Sequence, residues 1–540
     1  MNNNDTILWN TAWRKQVWSS IEQKTWDVII IGGGITGAGI FREAVNAGLS
    51  TLLVEQHDFS FGTSSRSSKL VHGGMRYLSN RQYSVTRESV HERQWMLSAA
   101  PGLVTPLSFI LPYYDHYTVS RSALHTGIII YDLMGRKWHH HYYDGVQLNQ
   151  NLPYLNPNGL KGAFEYDDAR VDDSRLVLRL LREGSRQGGT ALNYAKVERF
   201  LRTRTGQVCG VQLRDFSDME HRHTAAVQAA VVINAAGPWS DDVRAIINAP
   251  ARLRKQRGSH LVFQLQKFPL HQAVTLYHPK DHRAMFALPW EGCALIGTTD
   301  LDHSSQADVV QDEPSASEFE IEYIMQAAAH TFPDLDLTRD DVIASFAGLR
   351  PIINTGKADP SDESRAHLVW EEEGLLTITG GKLTIFRKMA KDALLAVRSR
   401  LKGSPKFPTR KPIFEPLPDP EGLSGLSPAD WLNLAGRYGK DTHPLLAASP
   451  AQELTHIDRL PDIWAELRWA ARAEGVVHLD DLLLRRVRLG LRLPDGAQAH
   501  LPHIRTIIQS ELGWNDARWT QEVNIYRGVW ERFYSPHPMG

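Results

Sequence analysis

Trp26 to Ile31 (WDVIII) is a short, nearly continuous apolar run, the pattern of a strand buried on both faces. It leads into GGGITGAG, and apolar positions then recur at helical spacing from about Ile35 to Ala47, with Gly48 as the stop. STLLVE (50–55) is a second buried strand, so residues 26–55 predict one βαβ unit. Further strands are predicted at VVINAAG (231–237), HLVFQL (260–265), CALIGTT (293–299) and GLLTITGGK (374–382). The last runs into a helix, TIFRKMAKDALLAVRSRL. Six prolines fall within 404–422, where a helix cannot continue and a stiff linker or extended strap is expected. Beyond them the pattern is mostly helical, notably VVHLDDLLLRRVRLGLRL (476–493).

A chain of 540 residues exceeds one hydrophobic core and predicts two or three domains. A formal net charge of −1 gives no field for nucleic acid. Two cysteines, Cys209 and Cys293, argue against a disulfide framework and fit a reducing compartment. The first residues lack the order of a secretory leader, and no run of about eighteen apolar residues predicts a membrane span. Attachment to a membrane surface stays open. Trp9, Trp13 and Val17 recur at four-residue spacing, which suits a lipid interface and a packed helix equally, and 128–143 is as ambiguous. His139, His140 and His141 are adjacent and point different ways, so no metal site is expected.

Gly32, Gly34 and Gly37 fit G-x-G-x-x-G between the first strand and its helix. The first permits a tight turn, the second lets a pyrophosphate approach the backbone, and the third lets helix and strand pack closely. The helix N-terminus offers unpaired N–H groups to phosphates. Glu55, about twenty residues on, is placed to accept ribose hydroxyls and disfavours a 2′-phosphate. A dinucleotide site follows, but the fingerprint alone does not separate NAD from FAD. NAAGPW (234–239) and TGGKLT (379–384) end two further strands in glycine, which suggests an FAD held along its length.

IIIGGGITGAGI, GTSSRSSKLVHGGMRYL, NAAGPW, RGSHLVF, GTTD, FAGLRP and GGKLT, in this order, resemble the FAD-dependent (aerobic-type) glycerol-3-phosphate dehydrogenases over roughly residues 26–400. HLDDLLLRRVRLGL resembles the C-terminal domain of that family more loosely. The resemblance implies an α/β fold: an FAD-binding Rossmann-like domain interleaved with a β-rich substrate domain, plus a helical C-terminal domain. The expected division is an extension over 1–25 and an oxidoreductase region over 26–403. A linker over 404–422 and helices over 423–540 follow. FAD-binding parts are expected at about 26–100, 185–265 and 345–400, and substrate parts at about 101–184 and 266–344.

It further implies that Thr63, Ser64, Ser65, Ser68 and Lys69 lie along the flavin's pyrophosphate and ring side, and that His72 and Gly73 pass close to the ring. Ile35, Thr36, Val197, Ala236, Gly237, Gly381, Lys382, Leu383 and Thr384 complete the expected cofactor contacts. Arg76 and Tyr77 would face the substrate, with Arg350 and Arg365 clamping a phosphate through guanidinium forks. Lys382 resembles a lysine near flavin and substrate, and His260 the family's active-site histidine. Imidazole titrates near working pH and suits removal of a hydroxyl proton, although His260 could instead position substrate while another group takes the proton. The implied reaction oxidises sn-glycerol 3-phosphate to dihydroxyacetone phosphate. Electrons would pass to a membrane quinone from a peripheral position on the cytoplasmic face, and a homodimer is possible. The rivals are an O2-using oxidase, an amine or amino-acid oxidase of the same superfamily, and a non-catalytic FAD-bound sensor. Phe386 stands where the family often has tyrosine.

Overall fold

A computed structural model describes residues 6–75, 78, 82–115, 119–218, 223–303, 313–354, 366–420 and 425–537. The WDVIII run forms the strand Trp26–Ile31, flanked in parallel by Thr51–Val54 and Thr224–Asn234. Leu375–Thr379 and Thr190–Leu192 extend this parallel sheet on either side. The fingerprint helix, Ile35–Asn46, packs its buried face on the sheet, which explains why strands without polar alternation occur here.

A second, mainly antiparallel sheet is built on the long strands Val104–Tyr114, Leu160–Val171, Leu253–Gln264 and Val342–Ile353. The chain passes repeatedly between the two sheets, so the domains are interleaved. Leu253–Gln264 and Val342–Ile353 pair along almost their whole length in this larger sheet. Both lie wholly or partly in stretches expected above to serve the FAD-binding part.

The Pro-rich segment is an extended strap against the fingerprint helix. Ile413 and Phe414 are buried, Arg42 Nε donates to the Ile413 carbonyl at 2.7 Å, and Glu43 accepts from Thr409. The C-terminal part is helical, with one departure from the sequence pattern. The run 476–493 is not one helix: a wide π-type turn spans Asp481–Arg486, and Leu489–Arg492 restarts after Arg488, whose φ of 56° breaks the spiral. The break turns Arg485, Arg486, Arg488 and Arg492 inward, each fully buried and paired with an acid.

The N-terminal helix Thr11–Ser20 is a packed one: Trp9 is buried, Trp13, Val17 and Trp18 lie against the core, and Arg14 pairs with Asp215 at 2.6 Å. Among the described residues no helix is long and apolar enough to cross a membrane.

Candidate active site

The carboxyl ends of the parallel strands open into one cavity of about 750 Å³, within the range of ligand pockets. Ile31, Glu55, Ala235 and Thr379, each at or just past a strand end, line it. Gly32 has a φ of 118°, and a side chain there would stand 2.5 Å from the Ala235 carbonyl. At Gly37 an added Cβ would stand 1.9 Å from the Gly32 carbonyl, so this glycine packs helix on strand and does not line the cavity. Ser64 Oγ accepts from the Ile35 N–H at 2.9 Å and fastens the stretch 62–68 to the start of the helix. Both carboxylate oxygens of Glu55 accept backbone bonds, from Gly33 at 2.7 Å and His57 at 2.9 Å. Burial raises its pKa, and these two bonds work against the rise.

The other wall is the larger sheet. Gly258 and Gly348 are cross-strand partners, and His260 and Arg350 stand two residues beyond them on the same face. An added Cβ on Gly258 would meet Arg350 Nη2 and Thr298 Oγ1, both at 2.6 Å, so the missing side chain makes room for the guanidinium. Arg350 Nη1 pairs with Asp300 at 3.0 Å and Nη2 donates to Thr298 at 3.2 Å. Asp300 is also paired with Arg283. The His260 ring stacks on Phe346, its Nε2 lies 2.9 Å from Ser68 Oγ, and its buried Nδ1 has no hydrogen-bond partner. Burial, then the charges of Arg350 and Lys69, push its pKa well below the usual histidine value. His260 is thus neutral, with less basicity than a free imidazole. Lys382 lines the cavity and its Nζ donates to Ser89 at 2.8 Å.

Residues 27–387 match the family model of the FAD dependent oxidoreductases, and residues 376–519 match the C-terminal domain of alpha-glycerophosphate oxidase. The aerobic glycerol-3-phosphate dehydrogenase of Staphylococcus aureus (strain USA300) is 34% identical over 507 residues, covering 88% of this chain and 89% of the relative. The chain belongs to the FAD-dependent glycerol-3-phosphate dehydrogenase family. The structure of the glycerol-3-phosphate dehydrogenase from Bacillus halodurans complexed with FAD superposes with a TM-score of 0.75 at 29% identity, covering 99% of both chains. L-alpha-glycerophosphate oxidase from Mycoplasma pneumoniae shares the fold, with a TM-score of 0.54 at 17% identity over 69% of this chain and 94% of its own.

The cavity fits the family's cofactor on this chain's own features. An elongated ligand needs backbone approach at one end and a polar wall at the other. Glycines 32 and 34 give the first, and Thr63, Ser64, Ser68 and His72 supply the second. Gly34, Ile35, Thr36, Glu55, Val197, Ala236, Gly237, Gly381, Lys382, Leu383 and Thr384 also line it, as do His260 and Arg350. Three expected contacts stand behind the wall instead. Lys69 is fully buried with Nζ 2.9 Å from Asp173, and Ser65 is buried. Gly73 is wedged where a Cβ would meet Val90 at 2.3 Å and Tyr131 at 2.4 Å. Arg76, Tyr77 and Arg365 lie outside the described residues. Phe386 is core: it is fully buried, 2.9 Å from where a Cβ on Gly39 of the fingerprint helix would stand.

Sequence reasoning missed His57, Phe61, Arg66 and Trp239, which also line the cavity. His57 and Phe61 stack at 4.3 Å, and Gly62 leaves room for Trp239. For the second wall the resemblance supplied His260 and Arg350, and a local signal also exists in G-x-H at 258–260 and G-x-R at 348–350, where a spacing of two puts a bare position beside each.

Proposed function

We propose that this chain oxidises sn-glycerol 3-phosphate to dihydroxyacetone phosphate. The observation carrying this is the guanidinium of Arg350 over the bare Gly258, beside a neutral His260, in the cavity that fits FAD. When bound, FAD supplies the two-electron oxidant. Arg350 holds phosphate oxygens, and Arg76 and Arg365 join it on the strength of the family resemblance, with Tyr77 beside them. His260 Nε2 exchanges Ser68 for the substrate hydroxyl and takes its proton. Lys382 keeps the developing oxygen charge near a cation. A dianionic phosphate offsets the positive charges that depress His260, so substrate itself raises the basicity of the ring.

For the acceptor, a membrane quinone is the first reading, reached from a peripheral position on the cytoplasmic face. The surface that supports it follows the helix Arg121–Gly135. At its C-terminal end Leu133 and Trp138 are each 62% exposed, with Arg136 and Lys137 between them in sequence. An O2-using oxidase is the second reading, favoured by the match of residues 376–519 to a domain named for an oxidase.

Anaerobic titration of the yellow protein with glycerol 3-phosphate tests the reaction: bleaching of the flavin band is expected, and none with glycine or proline. Reoxidation by a quinone analogue against air separates the acceptors. Arg350→Ala is expected to raise the apparent Kd for substrate by about 100-fold, the weight of two charge-assisted hydrogen bonds, with FAD retained. Equal loss of substrate and FAD binding contradicts the assignment.

A further inference from the structure

The stretch Gln56–Ser68 forms one side of the cavity, and several of the bonds that fasten it come from the C-terminal helical part of the chain. Asp58, fully buried just after His57, accepts from Arg485 Nε, Arg486 Nη1 and Arg486 Nη2, each at 2.7 Å. Arg485 also lies 5.6 Å from the ring centroid of Phe61. Arg66 Nη2 donates to Tyr534 Oη at 2.7 Å and pairs with Glu313, which Tyr534 Oη itself meets at 2.6 Å. Ser67 Oγ donates to Asp173 at 2.7 Å, and Arg488 braces the neighbouring Asp172 at 2.8 Å. Tyr534 is held in turn by the second wall, because its carbonyl accepts from the Ser345 N–H at 2.8 Å on the strand that carries Gly348 and Arg350. One residue past the last long helix therefore ties both walls together, without lining the cavity itself.

We infer that the C-terminal domain is the clamp that sets the shape of the cofactor loop, with Tyr534 as a positioning residue acting through Arg66, so that FAD binding and docking of this domain stabilise each other. This rests on the reading that the cavity is the FAD site. A loop of bends, turns and one short 3-10 helix has little internal structure to hold it, so order in it must be supplied from outside. Whatever the C-terminal domain adds to that order, FAD no longer has to supply on binding.

The test compares Tyr534→Phe with Tyr526→Phe in the full chain. Tyr526 is equally buried in the same domain and donates at 2.6 Å to the Gly496 carbonyl, away from the loop. FAD affinity is read by fluorescence quenching on reconstituting apoprotein. Tyr534→Phe is expected to weaken it by about tenfold, the weight of one hydrogen bond to a charged group, while Tyr526→Phe lowers thermal stability and leaves affinity unchanged. Equal affinity in Tyr534→Phe and wild type overturns the clamp, and so does equal weakening in both variants. Gly34→Leu separates this from the cavity reading: if it still takes up FAD normally, the cavity assignment fails and the clamp with it. If Tyr534→Phe does not fold, hydrogen exchange on the wild type decides. Added FAD should slow amides in 481–492 and 530–536 more than those in Thr442–Ala447, and uniform slowing overturns the proposal.

Discussion

His260 sits where burial, Arg350 and Lys69 all oppose its protonation, and this sets the pH behaviour of the site. Its folded pKa lies below the unfolded value of about 6.5, so the unfolded chain takes up the proton first as pH falls. Stability from this residue is therefore complete above about 6.5 and is lost as pH drops from there towards the folded pKa. The acid limb of kcat/KM is expected below the ordinary histidine value, because the ring is neutral across neutral pH. A limb at or above about 6.5 contradicts the assignment of His260 as the base. His260→Asn is expected to lower kcat by about 10²–10⁴-fold with FAD affinity unchanged, read by steady-state kinetics and flavin content. Glu55 was legible from its spacing after the glycine fingerprint, and His260 and Arg350 through the resemblance carried by RGSHLVF and FAGLRP. Arg66 and Trp239 were not, since nothing local distinguishes a cavity-lining arginine or tryptophan from those that serve the core or surface. Lys69 looked like an anion ligand, but its partner Asp173 lies a hundred residues away in sequence and is invisible to local pattern.

Two glycines of similar appearance do different work at the level of the element. Gly37→Ala would press a methyl against the Gly32 carbonyl at 1.9 Å, and neither helix nor strand has a flexible end to yield. It should cost about 2 kcal/mol or more and release FAD, measured by urea denaturation and absorbance. Gly258→Ala meets the tip of Arg350 at 2.6 Å, a flexible side chain that moves. The expected result is a higher KM for substrate with nearly normal stability and FAD content. The central parallel strands were legible from continuous apolar runs, and Trp26–Ile31 begins and ends where the pattern does, whereas the three-residue strand Thr190–Leu192 is too short to leave a pattern. The run 476–493 was not legible, because its apolar spacing suits a helix while Arg485, Arg486 and Arg488 are buried against Asp58 and Asp172 of the α/β part and the spiral breaks at Arg488. Helical propensity yields there to ion pairing across the interface.

Across the whole molecule, the helical part and the α/β part share one buried apolar cluster and are also joined by buried ion pairs. Burial would raise the pKa of Asp58, but Arg486 and Arg485 hold it at about 2. The stability it contributes is present above about 3.8 and is lost as pH falls through the folded value. Asp58→Ala strands two guanidiniums inside the protein and should cost about 3–5 kcal/mol, measured by denaturation at neutral pH. Sequence reading gave a separate helical domain without its role, since that role rests on pairs such as Arg486 with Asp58 that no window of the chain contains. On the outer surface, replacing Leu133 and Trp138 together by serine is expected to reduce co-sedimentation with anionic vesicles and leave solution turnover unchanged. Unchanged co-sedimentation counts against this face as the membrane side.

The repeated passage of the chain between its two sheets has a consequence for synthesis. Gly32 leaves the ribosome long before Thr379 to Thr384, and these before Tyr534. The nascent polypeptide thus carries apolar strands with no completed neighbour for much of translation, an invitation to chaperones and to aggregation when expression is fast. Slower induction in the cold should raise the yield of yellow protein, and messages stopped before the last helix should give colourless product.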